Sequence, residues 1–147
     1  MGNANEPQLT ATDRGVILSW IERSGQTTTL KFAERTASGW TSPLSVAAGN
    51  DWFVSYADAP TVMRLSDGTL VGAWMRQTDP LREAMDLQLS RSGDNPMNVT
   101  TGPLVANPDL SKVDEIGWVD LAPGGGRCVA VWANMSTIAV YAKTVPR

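Results

Sequence analysis

The sequence predicts an all-β fold made of four-stranded antiparallel units, and three observations predict it. The same pattern of turn, short apolar run and tryptophan recurs three times, ending at Trp20, Trp74 and Trp132 with spacings of 54 and 58 residues. Each copy is flanked by further short segments of strand length, several with period-two alternation, which is the signature of half-buried β-strands. Charged residues make up only 18% of the 147-residue chain, and Thr, Ser, Gly and aliphatic residues fill the difference, a composition that favours strands and turns.

In chain order, each copy opens with a short strand, seen as Pro7-Gln-Leu-Thr-Ala11, Pro60-Thr-Val-Met-Arg-Leu65 and Gly117-Trp-Val-Asp-Leu121. A turn carrying glycine follows: Asp13-Arg-Gly15, Asp67-Gly68 and Gly124-Gly-Gly126. Such residues supply the positive φ that a tight hairpin requires. The second strand is the run that ends in the tryptophan. A third alternating strand reads Leu30–Glu34, Leu87–Arg91 and Ala139–Lys143, and a fourth, in two copies only, lies around Trp40–Val46 and Thr100–Val105. Four short antiparallel strands repeated at about 40–60 residues make a β-propeller blade. A β-sandwich also spaces its strands evenly, but it gives no reason for turn, tryptophan and proline to recur in order. The expected organisation is therefore a single partial propeller, with blades over about 5–50, 51–112 and 113–147, the last lacking its fourth strand. Closed propellers carry about 4–8 blades, so further blades or self-association are expected to complete the ring.

Composition excludes several classes of function. The chain has no histidine and a net charge of −3 from 12 basic and 15 acidic residues. That removes Ser-His-Asp and Cys-His catalysis and histidine-based zinc sites, and the mild acidity argues against a nucleic-acid partner. No metal or cofactor is expected. The single Cys128 sits in an apolar run, where an inert buried thiol is expected. No apolar run has the length of a membrane span and no signal peptide is visible.

Blade geometry places a site. Residues just before the first strand and just after the second meet at one rim of a propeller. These are Glu6, Glu22 and Arg23 in the first copy, Asp51, Trp52, Tyr56, Asp58, Arg76 and Asp79 in the second, and Asp114 and Glu115 in the third. Carboxylates, arginine and aromatic rings together suit a glycan or another polar, hydroxyl-rich ligand, and paired carboxylates suit glycoside cleavage. The expected ligand-binding set is Asp51, Trp52, Tyr56, Asp58, Arg76 and Glu115, with Asp58, Asp79 and Arg76 as catalytic candidates. Asn50–Asp58, with three aromatics and two aspartates, reads as a connection between blades. Trp20, Trp74 and Trp132 read as packing residues.

The second hairpin, Asp58-Ala-Pro60-Thr-Val-Met-Arg-Leu-Ser-Asp67-Gly-Thr-Leu-Val-Gly-Ala-Trp74-Met-Arg76, resembles the opening segment of sialidases, Arg-Ile-Pro … Asp-Gly-Thr-Leu … Glu-Gly-Arg. Ala33–Pro43 and Leu89–Pro103 resemble degenerate Asp-box (BNR) repeats, and the whole chain is similar to bacterial proteins labelled sialidase-like. The resemblance implies a six-bladed parent, exo-α-sialidase-type glycoside hydrolysis and an exported location. It also marks departures. Asp58 replaces the arginine of Arg-Ile-Pro, so the first member of the carboxylate-binding arginine cluster is missing. The remaining arginines and the nucleophile pair would lie beyond these three copies. The resemblance therefore implies a glycan-directed propeller that is catalytically incomplete as this chain stands. A non-catalytic scaffold or a protein- or carbohydrate-binding module is the alternative.

Overall fold

A computed structural model describes residues 3–12, 14–56, 59–79, 84–92, 99–105, 116–124, 127–134 and 139–145. All regular structure among them is β-strand, arranged as three antiparallel sheets. Sheet one contains β1 (Asn3–Thr12), β2 (Gly15–Ser24), β3 (Thr27–Thr36), the short β4 (Gly39–Trp40) and β5 (Leu44–Gly49), in the order β1-β2-β3 with β4 and β5 both on β3. Sheet two contains β6 (Trp52–Phe53), β7 (Thr61–Arg64), β8 (Leu70–Asp79), β9 (Ala84–Ser92) and β10 (Val99–Val105). Here β6 and β7 share one edge of β8, and β9 and β10 follow on the other. Sheet three is the meander β11 (Ile116–Gly124), β12 (Arg127–Asn134) and β13 (Ala139–Val145).

The alternation in β8 explains the stacking. Leu70 and Trp74 join Val62 in a buried cluster with Ile17, Ile21, Leu30 and Phe32 of sheet one. Val71, Ala73 and Met75 point the other way and join Met63, Leu87, Leu89 and Leu121 of sheet three. Both faces of sheet two therefore bury apolar side chains, as a sheet covered on two sides requires. Glycine sets the approach of sheet one: a Cβ on Gly72 would lie 2.8 Å from Val46 Cγ1. The edge of the same interface is clamped by Arg64, whose guanidinium forks onto the Glu34 carboxylate of β3, with Nε 3.1 Å from Oε2. Another arm of Arg64 reaches the Gly68 carbonyl at 2.5 Å.

The Asp67-Gly68 hairpin forms as the sequence predicts. Gly68 has φ +93°, its amide donates to Leu65 O at 2.9 Å, and the Thr69 amide donates to Asp67 Oδ1 at 2.9 Å. These stacked antiparallel sheets are blades of a partial β-propeller. β7 lies at the centre of the stack, against β1 and β2 on one side and β11 on the other.

One regularity emerges only from the strand pairing. In every sheet the strand opposite the tryptophan is interrupted at that residue. Glu6 and Pro7 fall opposite Trp20, between the pairs Asn5–Ile21 and Gln8–Ser19. Trp118 and Val119 fall opposite Trp132, between Gly117–Ala133 and Asp120–Val131. In sheet two the pairs flanking Trp74 are Phe53–Met75 and Thr61–Ala73, so the chain between the flanking pairs is longer here than in the other two sheets. The bulge of the repeat is expanded here. This corrects the expectation for Asn50–Asp58: Trp52 and Phe53 are strand residues of sheet two, and only Asn50 and Asp51 link β5 to β6. Glu6 is likewise inside β1, at φ 51°, rather than ahead of it.

Candidate functional site

Bulges re-aim side chains and recur beside active sites, so the expanded one directs attention to its surroundings. Trp52 stands opposite Arg76, and Arg76 opposite Asp86 on the next strand. Cross-strand partners share a face, so the three side chains form a row. The Trp52 indole stacks on Trp74, with centroids 5.0 Å apart and planes at 21°. Gly49 admits it, since a Cβ there would sit 2.4 Å from Trp52 Nε1. The stack fixes the ring plane, and the ring remains half-buried rather than sealed.

Arg76 is the centre of the charge arrangement. Its Nε lies 3.5 Å from Asp51 Oδ2 and its Nη2 lies 3.8 Å from Asp86 Oδ2. The two carboxylates differ in setting: the Asp51 side chain is 47% exposed and that of Asp86 is 10% exposed. Asp51 is also anchored through its backbone, whose carbonyl accepts from the Gln77 amide at 2.7 Å. At these separations Arg76 is positioned by its neighbours while most of its donors stay available to a ligand. Gln88 follows Asp86 on the same face and is buried, and its Nε2 has no hydrogen-bond partner among the described residues.

The residues expected from sequence divide accordingly. Asp51, Trp52 and Arg76 are brought together. Tyr56, on the expanded bulge, is 92% exposed and not packed into the cluster. Asp79 ends β8, paired with Ala84 through the backbone. Asp58, Asp114 and Glu115 lie outside the described residues. Arg23 is exposed at the end of β2. Glu22 occupies in sheet one the place of Arg76, two residues after the tryptophan, but it serves a structural pair. Its carboxylate accepts from Lys31 Nζ at 2.7 Å and from Trp20 Nε1 at 3.1 Å. These bonds, the Lys31 one foremost, hold its carboxyl below the ordinary 4.5.

Sequence reasoning missed Asp86. The available signal was its period-two placement in β9, on the same face as Gln88 and Ser90, which exposes a polar stripe in a strand otherwise read as alternating. No group of three or more Cys, Asp or Glu side chains suited to a metal ion occurs among the described residues.

No family model matches the chain, and no curated protein matches it. Among solved structures it is similar to the endo-arabinase from Bacteroides thetaiotaomicron VPI-5482, with a TM-score of 0.59 and 16% identity over 98% of this chain and 56% of that one. At this identity the likeness is one of fold. The chain spans 56% of the length of that enzyme.

Proposed function

We propose that the chain is the ligand-recognising part of a carbohydrate-directed β-propeller, and that Asp51, Trp52 and Arg76 form a subsite for a polyhydroxylated ligand. The observation that carries this reading is Arg76: a half-exposed guanidinium, 45% accessible, set between Asp51 and Asp86 beside a stacked indole and an expanded bulge. Trp52 offers an apolar ring face to a sugar, Asp51 accepts hydroxyl hydrogens, and Arg76 donates to ring, hydroxyl or carboxylate oxygens. Tyr56, carried by the bulge, closes over the same ligand. The similarity in fold to an endo-arabinase and the sialidase-like hairpin support a glycan as the ligand class.

The same geometry supports binding without turnover. Glycoside cleavage uses two carboxyl groups flanking an open space for the scissile bond. Here Asp51 and Asp86 converge on one guanidinium instead. Catalysis of the exo-α-sialidase or endo-arabinase kind would need residues from further blades. A non-catalytic scaffold that grips a protein is the second reading, favoured by the fully presented Tyr56.

A glycan array, paired with hydrolysis assays on an arabino-oligosaccharide and a fluorogenic sialoside, tests the proposal. Retention of a glycan without turnover is the expected outcome. An empty array with no turnover overturns it.

A further inference from the structure

Three residues hold one position in the repeat. Leu9 pairs with Leu18, Val62 with Gly72 and Leu121 with Ala130, and each partner precedes its tryptophan by two residues. Val62 is 1% exposed because it packs on sheet one, and Leu121 is 6% exposed because it packs on sheet two. Leu9, on which no other sheet packs among the described residues, is 68% exposed. The tryptophans follow the same rule: Trp74 is 5% exposed, whereas Trp20 is only half-buried and lines, with Ala4, Asn5, Pro7 and Leu18, an open groove of about 330 Å³.

The opposite end of the stack shows the complementary deficit. Ile17 and Val71 are 2% and 0% exposed against the following sheet, and Ser19 and Ala73 are 0% and 2% exposed. Their equivalents in sheet three, Val129 and Val131, are half-buried. The molecule thus uses one kind of sheet-on-sheet interface twice internally, sheet one to two and sheet two to three. Among the described residues, one half of that interface is left uncovered on the outer face of sheet one and the other half on the outer face of sheet three.

We infer that the Leu9–Leu18–Trp20 face of one copy receives the Val129–Val131 face of a second copy, and that the reciprocal contact closes a ring of two chains and six sheets. The occupant is specified by the repeat itself, because the two bare faces are the halves of a contact already made inside the chain. Stable soluble monomers rarely leave large contiguous apolar faces to water. A head-to-tail contact yields a closed ring only when the rotation per sheet closes, and otherwise an open filament. Six sheets fall within the range of about 4–8 at which propellers close. Glu22 and Lys31 already neutralise one another on the Leu9–Leu18–Trp20 face.

Sedimentation and light scattering on the wild-type chain across concentration test the inference. The expected result is a discrete species of twice 15.8 kDa. Leu9→Glu, at an exposed position, and Val131→Asp are each expected to give monomers with unchanged far-UV circular dichroism. Mixing the two variants restores one of the two contacts and regains dimer at high concentration. A wild-type chain that stays monomeric overturns the proposal and leaves the face to a further segment of a longer polypeptide or to another partner. A Val131→Asp variant that stays folded and dimeric overturns it in favour of Leu9 faces pairing with each other. A ladder of ever-larger species overturns ring closure.

Discussion

Trp52 lies on Trp74 with ring centroids 5.0 Å apart, and this stack joins the packing of the repeat to its candidate site. Trp74 is the tryptophan that recurs in every copy and is sealed between sheets one and two. Trp52 is particular to sheet two and continues that column of rings towards the half-exposed Arg76. A packing side chain therefore fixes the ring plane of a residue of the candidate site.

Gly49→Ala tests that link. The added methyl would lie 2.4 Å from Trp52 Nε1, so the indole must leave its stack. The near-UV circular dichroism of the coupled rings is expected to collapse, with a loss of about 1–3 kcal/mol in urea unfolding as for other overpacked sites.

Gly72→Ala tests the approach of sheet one to sheet two. Its methyl would meet Val46 Cγ1 at 2.8 Å, at an expected loss of about 1–3 kcal/mol. Combining it with Val46→Ala, which removes the obstructing atom, is expected to recover part of that loss. Equal instability in the double variant would show that Gly72 matters for another reason.

Arg64→Met removes the fork onto Glu34, which joins β7 to β3. The side chains are 17% and 30% exposed, so the loss is expected to be about 1–2 kcal/mol, below that of a fully buried pair. Lys31→Met, in the more exposed pair with Glu22, is expected to change stability less. Chemical denaturation of both variants makes the comparison.

Glu22 gives a pH signature. Its carboxyl is held below 4.5 in the folded chain, first by Lys31 and then by Trp20. A depressed folded value means the contribution to stability is fully present above about 4.5, the unfolded value, and is lost as pH falls through the lower folded value. Trp20 loses its acceptor over the same acid window. A change in tryptophan fluorescence is expected there, and Glu22→Gln is expected to abolish it.

The repeat was legible in sequence because its signals are local: a glycine turn, an apolar run and a tryptophan at constant offset. The hairpins of β1–β2, β7–β8 and β11–β12, and the strands β3, β9 and β13, follow from those signals directly. What stayed hidden depends on pairing. Nothing in Glu6-Pro7 or Trp118-Val119 marks a bulge until the partner strand is known. Trp52-Phe53 look like loop residues because residues 54–60 separate them from the strand they begin. Asp86 was missed for the same reason, since its role exists only across the β8–β9 register that sets it opposite Arg76. The proximity of Asp51, Trp52 and Arg76 was legible because strand ends of one hairpin must meet, whatever the bulge between them.

The central claim is that Arg76 and Trp52 present a sugar-binding surface, and saturation-transfer NMR tests it most directly. The wild-type chain is titrated with an arabino-oligosaccharide and with sialyllactose, beside Arg76→Met and Trp52→Ala variants verified as folded by circular dichroism. The account predicts transfer to the protons of at least one sugar in the wild type and its loss in both variants. No transfer to either sugar, or transfer that persists undiminished without Arg76 and Trp52, would contradict it.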